Sequence, residues 1–150
     1  AAEISWQPFI DAAVAAESLY VLGRGPCLPM ATETALKLKE TCGLHAEAYS
    51  LAEVMHGPLE LLGEGFPVLV FAPDDAARAS SVPALVKLRG TGAQVMAVEM
   101  GGLTHVATGH ALLDGLSIIE TAYANIEVVA RRLGRDPDRP RLLKKVTETV

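Results

Sequence analysis

SLYVLGRGPCLPMATETALKLKETCG, residues 18–43, decides the fold. Its opening, SLYVL, reads as a short buried strand, and Gly23-Arg24-Gly25-Pro26 ends it. After Pro29 the chain reads as a helix that stops near Gly43. At about 100° per residue, Glu33, Lys37 and Glu40 fall within roughly 60° of one another. Ala31, Ala35, Leu38 and Cys42 gather on the opposite side, so one face can be buried while the charged stripe points away. A buried strand feeding an amphipathic helix is the unit from which parallel sheets are built.

The same alternation continues outward. Downstream, residues 45–49 (HAEAY) read as a loop, and Ser50 with Glu53 forms a capping box for a short helix that Gly57-Pro58 interrupts. Residues 66–72 (FPVLVFA) form a second buried strand. Asp74 or Asp75 caps the helix after it, which Pro83 should kink or split into two half-helices. Residues 94–99 (QVMAVE) form a third strand, and 107–113 a short fourth. A long helix spans 117–133, with Gly134 as its stop. Upstream, residues 1–17 are expected to be a connector helix. That leaves 18–134 as the core domain and 135–150 as a Pro-rich turn and tail. Continuous apolar strands alternating with helices imply a doubly wound, three-layer α/β/α domain with a mainly parallel sheet. Ligands of such sheets sit beyond the carboxyl ends of the strands, where the loop after the first strand and the Ser50 cap should lie.

Composition narrows the classes of function. The 150 residues are half hydrophobic but only 5% aromatic, so the core must be mainly Ala, Val and Leu. A formal charge of −5, with no basic run, argues against a nucleic-acid surface. No apolar run reaches the ~18 residues that a membrane span needs, and the first residues lack the pattern of a signal peptide. Cys27 and Cys42 show no CxxC spacing, as expected of reduced thiols in a cytoplasmic protein. The chain opens on Ala1 rather than Met, as a processed product or a piece of something longer would.

Single motifs decide little. Gly23-Arg24-Gly25 fails as a dinucleotide fingerprint, because Leu28 stands at the third glycine position and Pro26 removes a backbone donor. His45, Glu47, Glu53 and His56 have no recognised ligand spacing, so no metal is expected. The Glu33–Lys37–Glu40 stripe fits acid–base chemistry and equally a solvated ion-paired face. His56, at a helix end beside Gly57-Pro58, fits a proton carrier or a plain cap. Lys144-Lys145 by itself reads as a solvated tail.

The ordered set ETALKLKE (residues 33–40), HAEAY (45–49), Glu53 and His56-Gly57-Pro58 resembles the second sugar-isomerase (SIS) domain of the glucosamine-6-phosphate synthase family. The similarity runs from about Ser18 to the tail, where DPDRPR (136–141) and Lys145 keep the pattern. The resemblance implies that Lys145 forms an imine with an open-chain ketose phosphate. It implies that Glu40 shuttles a proton between C1 and C2, that Lys37 steadies the enediol charge, and that His56 opens the sugar ring from a neighbouring subunit. Arg24, Glu33 and Glu47 are taken with them as substrate-binding candidates.

The departures carry information too. The loop after the second strand is Pro-Asp-Asp-Ala-Ala-Arg, whose carboxylates would repel phosphate, so a companion N-terminal SIS domain must supply the phosphate cradle. No N-terminal cysteine and no glutaminase domain are present. Met55 and Leu142 stand where the synthase has Lys and Asn, and the ending KVTETV is closer to SIS-type glucosamine-6-phosphate deaminases. The expectation is the C-terminal half of an amino-sugar phosphate deaminase/isomerase, homodimeric, cytoplasmic and without a cofactor. The alternatives are the isomerase half of a glutamine–fructose-6-phosphate aminotransferase and a non-catalytic phosphosugar-sensing or dimerisation module.

Overall fold

A computed structural model describes residues 4–72, 78–100 and 102–143. Asp74, Asp75, Lys144 and Lys145 therefore lie outside the described residues, with the expectations placed on them. In chain order the elements are α1 (Gln7–Ala15), β1 (Ser18–Gly23), α2 (Cys27–Lys37) with a π-helical turn at Leu38–Cys42, and β2 (His45–Ser50). Two 3₁₀ turns follow, Glu53–Met55 and Pro58–Leu61, then β3 (Pro67–Phe71), α3 (Arg78–Arg89), β4 (Gln94–Val98) and α4 (Ala111–Arg132). The four strands form one parallel sheet in the order β2-β1-β3-β4.

Alternation along each strand divides the core into two. Leu19, Val21, Leu69, Phe71, Met96 and Val98 point to the face covered by α1, α2 and α4. Tyr20, Leu22, Val68, Val70 and Ala97 point to the face covered by Leu85 and Leu88 of α3 and by Leu51 and Val54. The result is the expected three-layer, doubly wound arrangement. Segment α1 packs in the first helical layer. The Trp6 backbone N–H donates to the Asn125 side chain of α4 (2.7 Å), its indole N–H to the Thr104 carbonyl (2.7 Å), and its ring meets Phe9 and Phe71.

Three expectations need correcting. Residues 45–49 are a strand, not a loop: β2 is an edge strand paired only with β1 among the described residues, so His45 and Glu47 stay at the surface and no apolar run marks it. Residues 107–113 hold no strand, because Ala111 already opens α4 and Leu112 and Leu113 face outward on its first turn. Helix α3 is one continuous element with Pro83 inside, so of the two alternatives the split into half-helices does not occur. Pro83 and Ala79 are both exposed, so the carbonyl that loses its donor can turn to water.

Gly134, at φ +69°, ends α4 as expected, with Arg135 N–H returning to the Ala130 carbonyl (2.8 Å) and Gly134 N–H to Arg131 (3.0 Å). The Ser50–Glu53 capping box also forms. The Ser50 hydroxyl accepts from Ala52 and Glu53 N–H, and the Glu53 carboxylate accepts from Ser50 N–H, on a 3₁₀ turn rather than an α-helix.

Candidate active site

The charged stripe of α2 is built as its spacing requires. Ala31, Ala35, Leu38 and Cys42 are all buried, which leaves Glu33, Lys37 and Glu40 on the outer side, each about one-third exposed. The Lys37 ammonium lies 2.5 Å from Glu40 and 3.5 Å from Glu33. The bond to Glu40, helped by both carboxylates, holds the lysine above its ordinary pKa, so it is a fixed cation and not a nucleophile. Glu40 sits within the π-turn, an irregularity frequent at functional sites. There the Thr41 hydroxyl donates to the Lys37 carbonyl (2.8 Å), and Gly43, at φ +62°, turns the chain into β2.

Because α2 descends after β1 rises, Glu40 lies at the amino ends of the strands. A cleft of about 890 Å³ opens beside it, between the π-turn and the chain that leaves α4. Glu40 and Asp136 meet four basic residues there, Lys39, Arg135, Arg139 and Arg141, a positive surplus on a chain of net charge −5. Leu142 and Leu143 line the same cleft, and Leu143 is the last described residue before Lys145.

The other candidates lie elsewhere. Arg24, half-buried, is in the loop after β1, and His56, exposed, ends the first 3₁₀ turn after β2; both belong to the carboxyl ends of the strands. The six residues of β2 put roughly 20 Å between that level and the Glu40 cleft. Glu47 faces the α3 side of the sheet, opposite the side that α2 covers. Its carboxylate takes the Tyr49 hydroxyl at 2.5 Å, which pushes the Tyr49 pKa up to about 12. One chain thus brings together Glu33, Lys37 and Glu40 but not Arg24, Glu47 or His56. The loop after β1 and the Ser50 cap lie at the carboxyl edge as expected, whereas the Lys37–Glu40 pair and the cleft are at the opposite edge, because α2 carries the stripe down its length.

Sequence reasoning missed three groups. Tyr123 of α4 donates its hydroxyl to Glu33 (2.9 Å), a contact made across 90 residues of chain that no local spacing signals. Arg135 lies against Gly43, where a Cβ would stand 3.1 Å from its guanidinium. At the carboxyl edge the buried His105 sits between Glu99 (3.0 Å) and Asp114 (3.7 Å). Glu99 is the one non-glycine residue with positive φ among the described residues, at +69°. Neither Cys27 nor Cys42 is in a disulfide; both are buried, and burial pushes the Cys42 thiol up, away from reactivity.

The SIS domain family matches residues 14–109, and the chain belongs to it. It is 36% identical over 137 residues to glutamine–fructose-6-phosphate aminotransferase [isomerizing] of Sulfurisphaera tokodaii, covering 89% of this chain and 23% of that protein. A solved structure from Silicibacter pomeroyi, named as a phosphosugar isomerase, superposes with a TM-score of 0.81 at 45% identity, over 91% of this chain and 43% of that one. The C-terminal domain of glucosamine-fructose-6-phosphate aminotransferase from Francisella tularensis follows at 0.77 and 27% identity, over 85% of this chain and 39% of that one. The chain spans about a quarter of the length of the curated relative.

Proposed function

We propose that this chain is the catalytic SIS half of a cytoplasmic amino-sugar phosphate isomerase, acting with a companion N-terminal SIS domain on glucosamine 6-phosphate and fructose 6-phosphate. The observation that carries the reading is Glu40, paired with Lys37, lining a cation-rich cleft shared with the start of the tail. In the deaminating direction the ring opens, the C1 aldehyde isomerises to the C2 iminium, and water releases ammonia. Glu40 takes the C2 proton and returns it to C1. Lys37, held protonated by its partners, balances the enediol charge that develops between the two transfers. In the reverse direction Lys145 is assigned the imine with the ketose carbonyl: its amine adds to C2 of fructose 6-phosphate, water leaves, ammonia displaces the lysine, and the C2 iminium so formed makes the C1 proton easier to remove. Arg24, Glu33 and Glu47 remain candidates for holding the sugar.

His56, one strand length from Glu40 in its own chain, is assigned to the cleft of a second copy, which makes the functional unit a homodimer. Mixing inactive His56→Ala and Glu40→Gln subunits of the full-length protein tests this, since mixed dimers regain one intact site. No recovery would remove His56 from the site. Met55, Leu142 and the tail sequence favour free ammonia as the product, hence the deaminase. The names of the relatives favour the second reading, an isomerase half of a glutamine-dependent synthase. Incubating the full-length protein with glucosamine 6-phosphate decides between them. Release of ammonia without glutamine is the expected result, and turnover only with glutamine overturns the deaminase.

A further inference from the structure

We propose that Tyr123 is a positioning residue of the Glu40 site, keeping the Lys37 ammonium on Glu40 instead of on Glu33. The inference rests on the isomerase reading above only for its kinetic consequence. Two carboxylates on one helix compete for a single lysine: Glu33 one turn before it and Glu40 one turn after. A free competition between such i, i+4 and i, i+3 partners would be close to even. The contacts are not even. Lys37 is 2.5 Å from Glu40 and 3.5 Å from Glu33, and the Glu33 oxygen it faces is the one that takes the Tyr123 hydroxyl at 2.9 Å. A carboxylate oxygen already holding a donor is a weaker acceptor for the next one, so the lysine settles on Glu40.

Tyr123 is placed to do this by packing. Ile119, Ala122 and Ile126, its neighbours along α4, are buried in the core that α4 shares with α2, so its Cα is fixed although its ring is partly exposed. Burial and the Glu33 bond hold its pKa above the ordinary phenol value, so the hydroxyl stays a donor over the working range of pH. The chain of contacts Tyr123–Glu33–Lys37–Glu40 therefore links the sheet-packed helix α4 to the proton-shuttling carboxylate.

The test uses the full-length protein with Tyr123→Phe, which keeps the ring and removes only the hydroxyl. A crystal structure of the variant should show Lys37 moved onto Glu33 and away from Glu40. Kinetically, kcat should fall about 3- to 10-fold with KM nearly unchanged. In a Glu33→Gln background the competitor is gone, and Tyr123→Phe should have no further effect. An unmoved Lys37–Glu40 contact, or an equal loss of kcat in the Glu33→Gln background, overturns the inference while leaving the isomerase reading in place. A native protein that turns over neither sugar phosphate overturns the isomerase reading, and the crystal structure still decides the role of Tyr123.

Discussion

The two ends of the sheet treat their charges in opposite ways. At the carboxyl ends, His105 has a side chain only 2% exposed, shut between Glu99 and Asp114, and Asp114 takes both the N–H and the hydroxyl of Thr108 at 2.7 Å. At the amino ends, Lys37 and Glu40 are paired just as closely but remain 31% exposed, and Glu40 lines a cleft. A closed polar cluster fixes a loop; an open ion pair can meet a ligand. In a doubly wound sheet the carboxyl edge is the default ligand site. Here that edge, in the β4–α4 loop, is closed, and the exposed Lys37–Glu40 pair lies at the other end of α2.

The largest effect should come from the open end. Glu40→Gln in the full-length protein should lower kcat by about 10²- to 10⁴-fold, the usual cost of losing a general base. Its urea midpoint should barely move, since an ion pair left about one-third exposed contributes little to stability. A lost midpoint with retained turnover would reverse the assignment of the two ends.

The closed end should answer in stability. Gly23→Ala places a Cβ 2.3 Å from the Cys27 carbonyl oxygen, a backbone atom that cannot swing away, and should cost about 1–3 kcal/mol in urea unfolding. Asp114→Asn should follow at about 1–2 kcal/mol through weakened bonds to Thr108. The same change should alter the acid limb of stability. The Thr108 bonds hold the Asp114 carboxyl below the usual range, so its contribution is fully present above the unfolded value of about 3.9 and is lost as pH falls through the lower folded one. The Asn variant should lack that part of the slope.

The smallest effect is at the rim of β2. The Glu47 bond raises the Tyr49 pKa to about 12, so the stability it contributes is present below the unfolded value of about 10 and fades as pH rises through about 12. Tyr20 and Tyr123 are also raised, but Tyr49 most, so in ultraviolet titration the last phenolate to appear should be Tyr49, and Tyr49→Phe should remove it. A Tyr49 that ionises with free tyrosine would show that the Glu47 carboxylate is open to ligand, and would sharpen its candidacy for substrate binding.

Much of this was legible in local pattern. SLYVL, FPVLVFA and QVMAV announce buried strands because parallel strands covered on both faces need apolar side chains at every position. The α2 stripe, the Ser50–Glu53 box and the Gly134 stop are local as well, since helix periodicity and capping act within one or two turns. HAEAY was read as a loop because an edge strand leaves half its side chains in water, and its partner Ser18–Gly23 lies 27 positions away in register. Residues 107–113 (ATGHALL) read as a strand because Leu112 and Leu113 face outward on the first turn of α4, where apolar periodicity misleads.

The three buried strands, the charged stripe of α2 and the stop of the long helix at Gly134 were settled by the sequence alone, because they depend on side-chain chemistry and near neighbours. Only the tertiary structure decided that Glu40 and His56 stand at opposite ends of the sheet, that Tyr123 reaches Glu33, and that His105 is enclosed by two carboxylates. Those relations depend on strand direction and on helix packing across distances that no spacing along the chain encodes.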